Sequence, residues 1–255
     1  MNKNQFFNLK RFTNYSKNLL LINAKSMLIS VAVLFVVMFL LQFSSMPRGK
    51  SMMEYPISNY AIYFTFYIVV LGVFIGSGFK PFNQKVDTRN YLAVPVSTFE
   101  KYLTEFLFRV VIGTIGILVI YWSATNLARY AAILTLTNPM DHYQQIVPFS
   151  YKALFEGNYT PLASIVLSTA FAYIALFNIR LFFNKHGLLK TVLTLSILFS
   201  AVLMILIKIL ESKVEKFANT DVVYAIDDVY FYIIFIVGIV GLSIFGYFKL
   251  KEKEL

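Results

Sequence analysis

The sequence predicts an all-α polytopic membrane protein, a single domain over residues 1–255 with six transmembrane helices, an N-terminal interfacial amphipathic helix and a short cytoplasmic surface helix. Hydrophobic residues make up 58% of the chain and charged residues only 14%, whereas charged residues are about a quarter of an ordinary soluble domain. The charges cluster between long apolar runs. A helix that crosses a bilayer core about 30 Å thick needs roughly 20 apolar residues, and several windows of the sequence reach that length.

The predicted spans follow from the long apolar runs. The fourth begins after Thr160, a plausible N-cap, with Pro161 at the first helical position, where its missing N–H does no harm. The spans are residues 26–45, 60–79, 110–127, 161–183, 187–209 and 229–248.

The distribution of basic residues predicts the orientation. Six spans place both termini on one side, and sixteen of the 23 Lys and Arg residues fall in segments on that side, against seven on the other. Basic residues accumulate in cytoplasmic loops. We therefore expect a multi-pass protein of the cell's inner (cytoplasmic) membrane with both termini in the cytoplasm.

The first 25 residues form a basic leader without an acidic residue. Phe6, Phe7 and Phe12 alternate with cations such as Lys10 and Arg11. A basic helix with aromatic residues on its other side binds in the interfacial plane of an anionic leaflet. The lipid bilayer is thus the expected partner of this segment, and a disordered basic tail is the alternative.

A short helix is predicted in the segment "YLAVPVSTFEKYL", residues 91–103. Pro95 disfavours helix at the residue before it, so the helix starts after Pro95. Ser97 provides an N-cap, and Glu100 three residues later completes a capping box.

The residues of this helix divide into two faces. The apolar stripe, at helical spacing, is Phe99, Tyr102, Leu103 and Phe106, and the remainder is Glu100, Lys101, Thr104 and Glu105. Residue spacing leaves two interpretations open, a loop helix that floats on lipid and a docking element for a soluble partner. The residues expected to dock are Pro95, Ser97, Phe99, Glu100, Lys101 and Tyr102.

Four polar residues near predicted span ends are the only indications of a pathway. They are Arg109, Asn178, Arg180 and Lys190. Long cations at helix ends reach the interface at little cost, which favours an anchoring role. The alternative is a substrate entrance on the cytoplasmic side.

The chain resembles the permeases of ABC-2 type transporters. The string "YLAVPVSTFEKYLTEFL" is similar to their segment between spans two and three, with Val94, Pro95, Val96, Ser97 and Glu100 at matching places. A second string, "NIRLFFNKHGLLKTVL", resembles a cytoplasmic turn of bacterial, particularly Bacteroidetes-like, members.

The resemblance implies a function and partners. Residues 80–106 would form the coupling region that receives motion from a separate ABC ATPase subunit. That subunit would carry ATP and Mg, so this chain needs no cofactor of its own. A second permease copy, identical or related, would complete an exporter.

Motifs of other function classes are missing. The chain has no cysteine, which excludes thiolate metal sites and cysteine nucleophiles. The nearest match to a phosphate-binding loop, Ser44–Ser51, has Ser44 in place of the first glycine. His142 and His186 are predicted on opposite faces of the membrane, so they form no metal site.

We therefore predict no catalytic or metal-binding residue on this chain, and the net charge of +10 reflects orientation in the membrane and not a nucleic-acid partner. Two alternatives to the permease remain. One is a membrane binding or immunity protein that needs no ATP, and the other, which the missing motifs disfavour, is an integral membrane enzyme.

Overall fold

The computed structural model describes residues 6–47, 55–83, 85–135, 146–155, 162–183, 189–197, 200 and 228–253. This part of the chain is almost entirely helical and has no β-strand, as the sequence predicts. The helices are α1 (Leu9–Ser45), α2 (Ile57–Gly76), α3 (Lys85–Ala93), α4 (Thr98–Phe106), α5 (Gly113–Leu134), α6 (Tyr151–Phe155), α7 (Leu162–Ile179) and α8 (Asp228–Glu252). Two 3-10 turns, Lys80–Asn83 and Arg180–Phe182, and a π-helical segment, Leu107–Ile112, connect some of them, and residues 189–197 are helical too.

Four helices of the described chain, and not six, are long and apolar enough to cross a membrane. They are Leu9–Ser45, Ser58–Gly76, Thr98–Leu134 and Tyr232–Glu252. In the predicted fourth span, the described apolar helix is the shorter Val166–Phe182. Most of the predicted fifth span lies outside the described residues, as do Thr160 and Pro161.

The N-terminal helix differs from the predicted division into a leader and a first span. Its start is capped by Asn8, whose Oδ1 accepts the Arg11 N–H at 3.2 Å. From Leu9 to Ser45 it then continues without interruption. The run contains neither proline nor glycine, the residues that most often end or kink a helix. No break in the helix therefore separates the predicted leader from the predicted first span, and the membrane boundary near residue 25 stays a prediction.

The chain, predicted as a single domain, divides into two compact units. Unit 1 contains Met1–Gly72 and Leu107–Tyr159, and unit 2 contains Val73–Phe106 and Thr160–Leu255. The predicted coupling region, residues 80–106, belongs wholly to unit 2.

In unit 1, α1 packs against α5. The Gln42 side chain donates to Thr125 Oγ1 at 2.8 Å, and both residues are fully buried. Around this bond lies a set of edge-on and tilted aromatic pairs, Tyr67–Tyr121, Phe64–Tyr121, Tyr121–Phe149 and Tyr60–Phe149. Hydrogen bonds within an apolar layer hold helices together where the hydrophobic effect is weak.

In unit 2, α8 packs against α7 and also against α4. Phe79 follows the end of α2 with a positive φ of 50°, a conformation that costs a bulky residue roughly 1–2 kcal/mol. Its ring is fully buried and contacts Phe82, Tyr102 and Phe177. Burial of this ring offsets the unfavourable backbone and fixes the turn that leads into the coupling region.

Candidate functional site around helix α4

The predicted capping box at the start of α4 is confirmed. The Ser97 N–H donates to Glu100 Oε2 at 3.0 Å, and the Glu100 N–H donates to Ser97 Oγ at 3.2 Å. Pro95 lies just before it, exposed. Because the two side chains satisfy two helix-terminal donors reciprocally, the helix starts at a fixed residue.

The cap gives a first testable expectation. Ser97→Ala should lower the free energy of unfolding by about 1 kcal/mol, since it leaves the Glu100 N–H without its acceptor. Thermal unfolding of the purified protein in detergent measures the change. Ser123→Ala is the matched control, because the Ser123 hydroxyl bonds only carbonyls of its own helix in the structure. Equal stability of the two variants would show that the box contributes nothing.

The polar face of α4 is buried, which differs from its expected exposure. Glu100, Lys101, Thr104 and Glu105 are at most 5% exposed. The apolar Phe99, Leu103 and Phe106 are instead half-buried.

The burial of Lys101 has a structural reason. Its ammonium donates to the Leu92 carbonyl at the end of α3, at 3.1 Å, and lies 5.6 Å from the centroid of the Tyr91 ring. A buried ammonium is tolerated where it is hydrogen-bonded. Lys101 therefore fastens α3 to α4 and is not available to a partner.

Tyr102 is the centre of the contacts between α4, α7 and α8. Its hydroxyl donates to Asn178 Oδ1 at 2.8 Å, and Asn178 Nδ2 donates to the Ile174 carbonyl at 2.8 Å. Its ring contacts Phe177 of α7 and Tyr247 of α8. The sequence analysis did not pair these residues, because nothing local in the sequence relates positions 102 and 178.

A glycine makes room for Asn178. A Cβ placed on Gly246 would lie 1.7 Å from Asn178 Oδ1 and 2.5 Å from its Cγ. Since real Cβ contacts are much longer, α8 and the Asn178 side chain approach this closely only with glycine at 246.

The four predicted pathway residues are divided between the two units. Arg109 lies in the π-helical segment of unit 1 and is half-buried. In unit 2, Asn178 and Arg180 are buried within the protein, at 1% and 2% exposure, and Lys190 is exposed. Burial of Arg180 differs from the exposure expected of a snorkelling cation, and the anchoring role stays a prediction. A substrate entrance stays a prediction.

Among the residues of the coupling region whose burial is described, the exposed ones lie on α3 and in the loop after it. Asp87, Arg89 and Asn90 are exposed on α3, and Ala93 and Pro95 are exposed beyond them. We call these five residues the α3 surface. A soluble partner would meet this surface, and not the buried Glu100, Lys101 and Tyr102.

Sequence reasoning missed two lysines at the end of α8. Lys253 Nζ lies 4.4 Å from the centroid of the Phe82 ring, and Lys249 Nζ lies 5.3 Å from that of Phe182. Their i, i+4 spacing places them on one helix face, and this spacing is the sequence signal by which the two lysines could have been paired.

Within the described residues, no group of three or more His, Asp or Glu residues is placed to hold a metal ion. His142 and His186 lie outside those residues. No protein-family model matches the chain, and neither a curated protein nor a solved structure matches it.

Proposed function

We propose that this chain is the membrane-spanning permease subunit of an ATP-driven exporter of the ABC-2 type. The observation that carries the proposal is the capped helix α4, which leads through the π-helical segment Leu107–Ile112 into α5, in a helical run of membrane length, Thr98–Leu134. In this proposal, motion imposed on the capped end of α4 is passed along the chain into α5. The proposal also rests on the resemblance of residues 91–107 to the coupling segment of that family.

The contacts around α4 suit a coupling role. Lys101 ties α4 to helix α3, which carries the α3 surface, and Tyr102 ties α4 to α7 through Asn178. A partner that moves the α3 surface would therefore move α4 with it. In this proposal a separate ATPase binds the α3 surface, ATP and Mg bind that ATPase, and two permease copies enclose the pathway.

The proposed topology has six spans. The protein lies in the inner membrane of the cell, with both termini in the cytoplasm. Reporter fusions after Lys85 and after Lys253 should report cytoplasm, and a fusion after Asp141 should report the exterior, because the basic residues lie mainly on the side of the termini. A cytoplasmic reporter after Asp141 would contradict the six-span arrangement.

Charge reversal on the α3 surface tests the proposed function. In membranes from cells that express the full chain, Arg89→Glu should reduce both copurification of an ATPase in mild detergent and the ATP hydrolysis of the purified complex. Lys251→Glu, which reverses an exposed cation on α8, is the matched control and should change neither. If the unmodified chain brings down no ATPase, the proposal fails and the binding or immunity protein takes its place.

A further inference from the structure

The helical run Thr98–Leu134 changes its backbone hydrogen bonding between α4 and α5. Its segment Leu107–Ile112 is a π-helix, in which the bonds join residues five apart instead of four. The segment therefore holds about one residue more than an α-helical path between the same two ends. π-helical turns are rare, and they are among the few causes of a sharp bend within a helix.

The sequence of this segment disfavours a regular α-helix. Val110, Val111 and Ile112 are β-branched, and such side chains crowd the preceding turn of a helix. Gly113 follows them, and only proline is a weaker helix former than glycine. The Thr114 hydroxyl donates to the Val110 carbonyl at 2.5 Å, a type of bond that often bends helices. The residues thus weaken the helix where its hydrogen bonding changes.

The two sides of the segment are held by different partners. On one side α4 packs against α8, and Tyr102 donates to Asn178. On the other side α5 packs against α1, and Thr125 accepts from Gln42. The chain passes from unit 2 to unit 1 at Leu107, the first residue of the segment. Both neighbouring helices are therefore anchored independently of each other.

The segment itself has little side-chain burial. None of its six residues is buried, and Val111 and Ile112 are 37% and 49% exposed. Few buried apolar contacts mark the parts of a protein that open and move at the least cost in free energy. The π-helical segment is thus the weakly held part of the run between two anchored helices.

We propose that Leu107–Ile112 is a joint at which this helical run bends. α4 moves with the residues that it packs against, while α5 keeps its contacts with α1. The π-turn suits this motion, because its extra residue lets the bonds within the segment rearrange while those of α4 and α5 remain. The inference concerns motion within the chain, and it depends neither on the permease proposal nor on an ATPase.

Distances between spin labels on the full chain in lipid nanodiscs test the inference. The chain has no cysteine, so Asn90→Cys with Trp122→Cys places one label in each unit, at exposed positions. Two control pairs each lie within one unit, Asn90→Cys with Ile234→Cys and Trp122→Cys with Ile29→Cys. Double electron–electron resonance should give a broader distance distribution for the first pair than for either control. Equal widths would overturn the proposal.

Deletion of Val111 tests the role of the extra residue. It should turn the segment into a regular α-helix while α4 and α5 keep their contacts. The protein should then stay folded, and the distance distribution of the pair Asn90→Cys and Trp122→Cys should narrow to the width of the controls.

Deletion of Leu127 is the matched control. Leu127 is also exposed, but it lies in the regular α-helix between Thr125 and Arg129. Its loss turns these two residues against each other by about 100°, which should break the bond from Gln42 or the one from Arg129 to the Ile146 carbonyl and lower the unfolding midpoint. If deletion of Val111 lowers the midpoint as much, or leaves the distribution broad, the proposal fails.

Discussion

Gly246→Ala is expected to lower the free energy of unfolding by about 2 kcal/mol. The new methyl group would meet the Oδ1, Cγ and Cβ atoms of Asn178 at 1.7, 2.5 and 3.1 Å, so the whole side chain must move. That movement breaks the hydrogen bond from Tyr102. Overpacking costs about 1–3 kcal/mol and the lost bond about 1 kcal/mol, against a gain of about 1 kcal/mol in helix propensity.

Gly241→Ala is the control on the same helix. A Cβ at Gly241 meets no atom within 4 Å, so the helix propensity should act alone and stability should stay level or rise slightly. Thermal unfolding of both variants in detergent gives the comparison. If Gly246→Ala proves as stable as Gly241→Ala, the close packing of α7 and α8 is incorrect.

Tyr102→Ala should have the largest effect of any single change considered, a loss of about 3–5 kcal/mol, as for other large aromatic side chains in protein interiors. Tyr102 is 7% exposed. Its removal leaves a cavity between α4, α7 and α8 and takes away the hydroxyl that donates to Asn178. We expect reduced yield of folded protein and a lower unfolding midpoint.

Tyr102→Phe separates the ring from the hydroxyl. It keeps the ring contacts with Phe177 and Tyr247 and removes the hydroxyl that donates to Asn178, so the loss should be about 1 kcal/mol. If Tyr102→Phe is as damaging as Tyr102→Ala, the hydroxyl and not the packing governs this site.

Local signals in the sequence predicted the local structure around α4 well. A proline followed by Ser97 and Glu100 at capping-box spacing specifies a helix start through bonds between residues three apart, and both bonds are present. The helical character of the chain followed in the same way from its long apolar runs.

The burial of the polar residues of α4 depends on tertiary contacts, which the sequence pattern does not predict. The hydropathy pattern places Glu100 and Lys101 on the polar face of an amphipathic helix. Both are nevertheless buried, and the Lys101 ammonium donates to a carbonyl at the end of α3. A hydropathy pattern gives the period of a helix but not what covers its polar side. The pairing of Tyr102 with Asn178 and the need for Gly246 likewise depend on how distant segments pack.

Site-specific crosslinking tests the central claim most directly. Because the chain has no cysteine, Asn90→Cys places a single thiol on the α3 surface and Ser150→Cys places one on the proposed external side, both at exposed positions. In native membranes with a cysteine-to-amine crosslinker, we predict that Asn90→Cys forms an adduct with an ATP-binding subunit, identified by mass spectrometry, and that Ser150→Cys does not. Absence of that adduct from Asn90→Cys, in membranes where the protein is inserted and stable, would contradict the account.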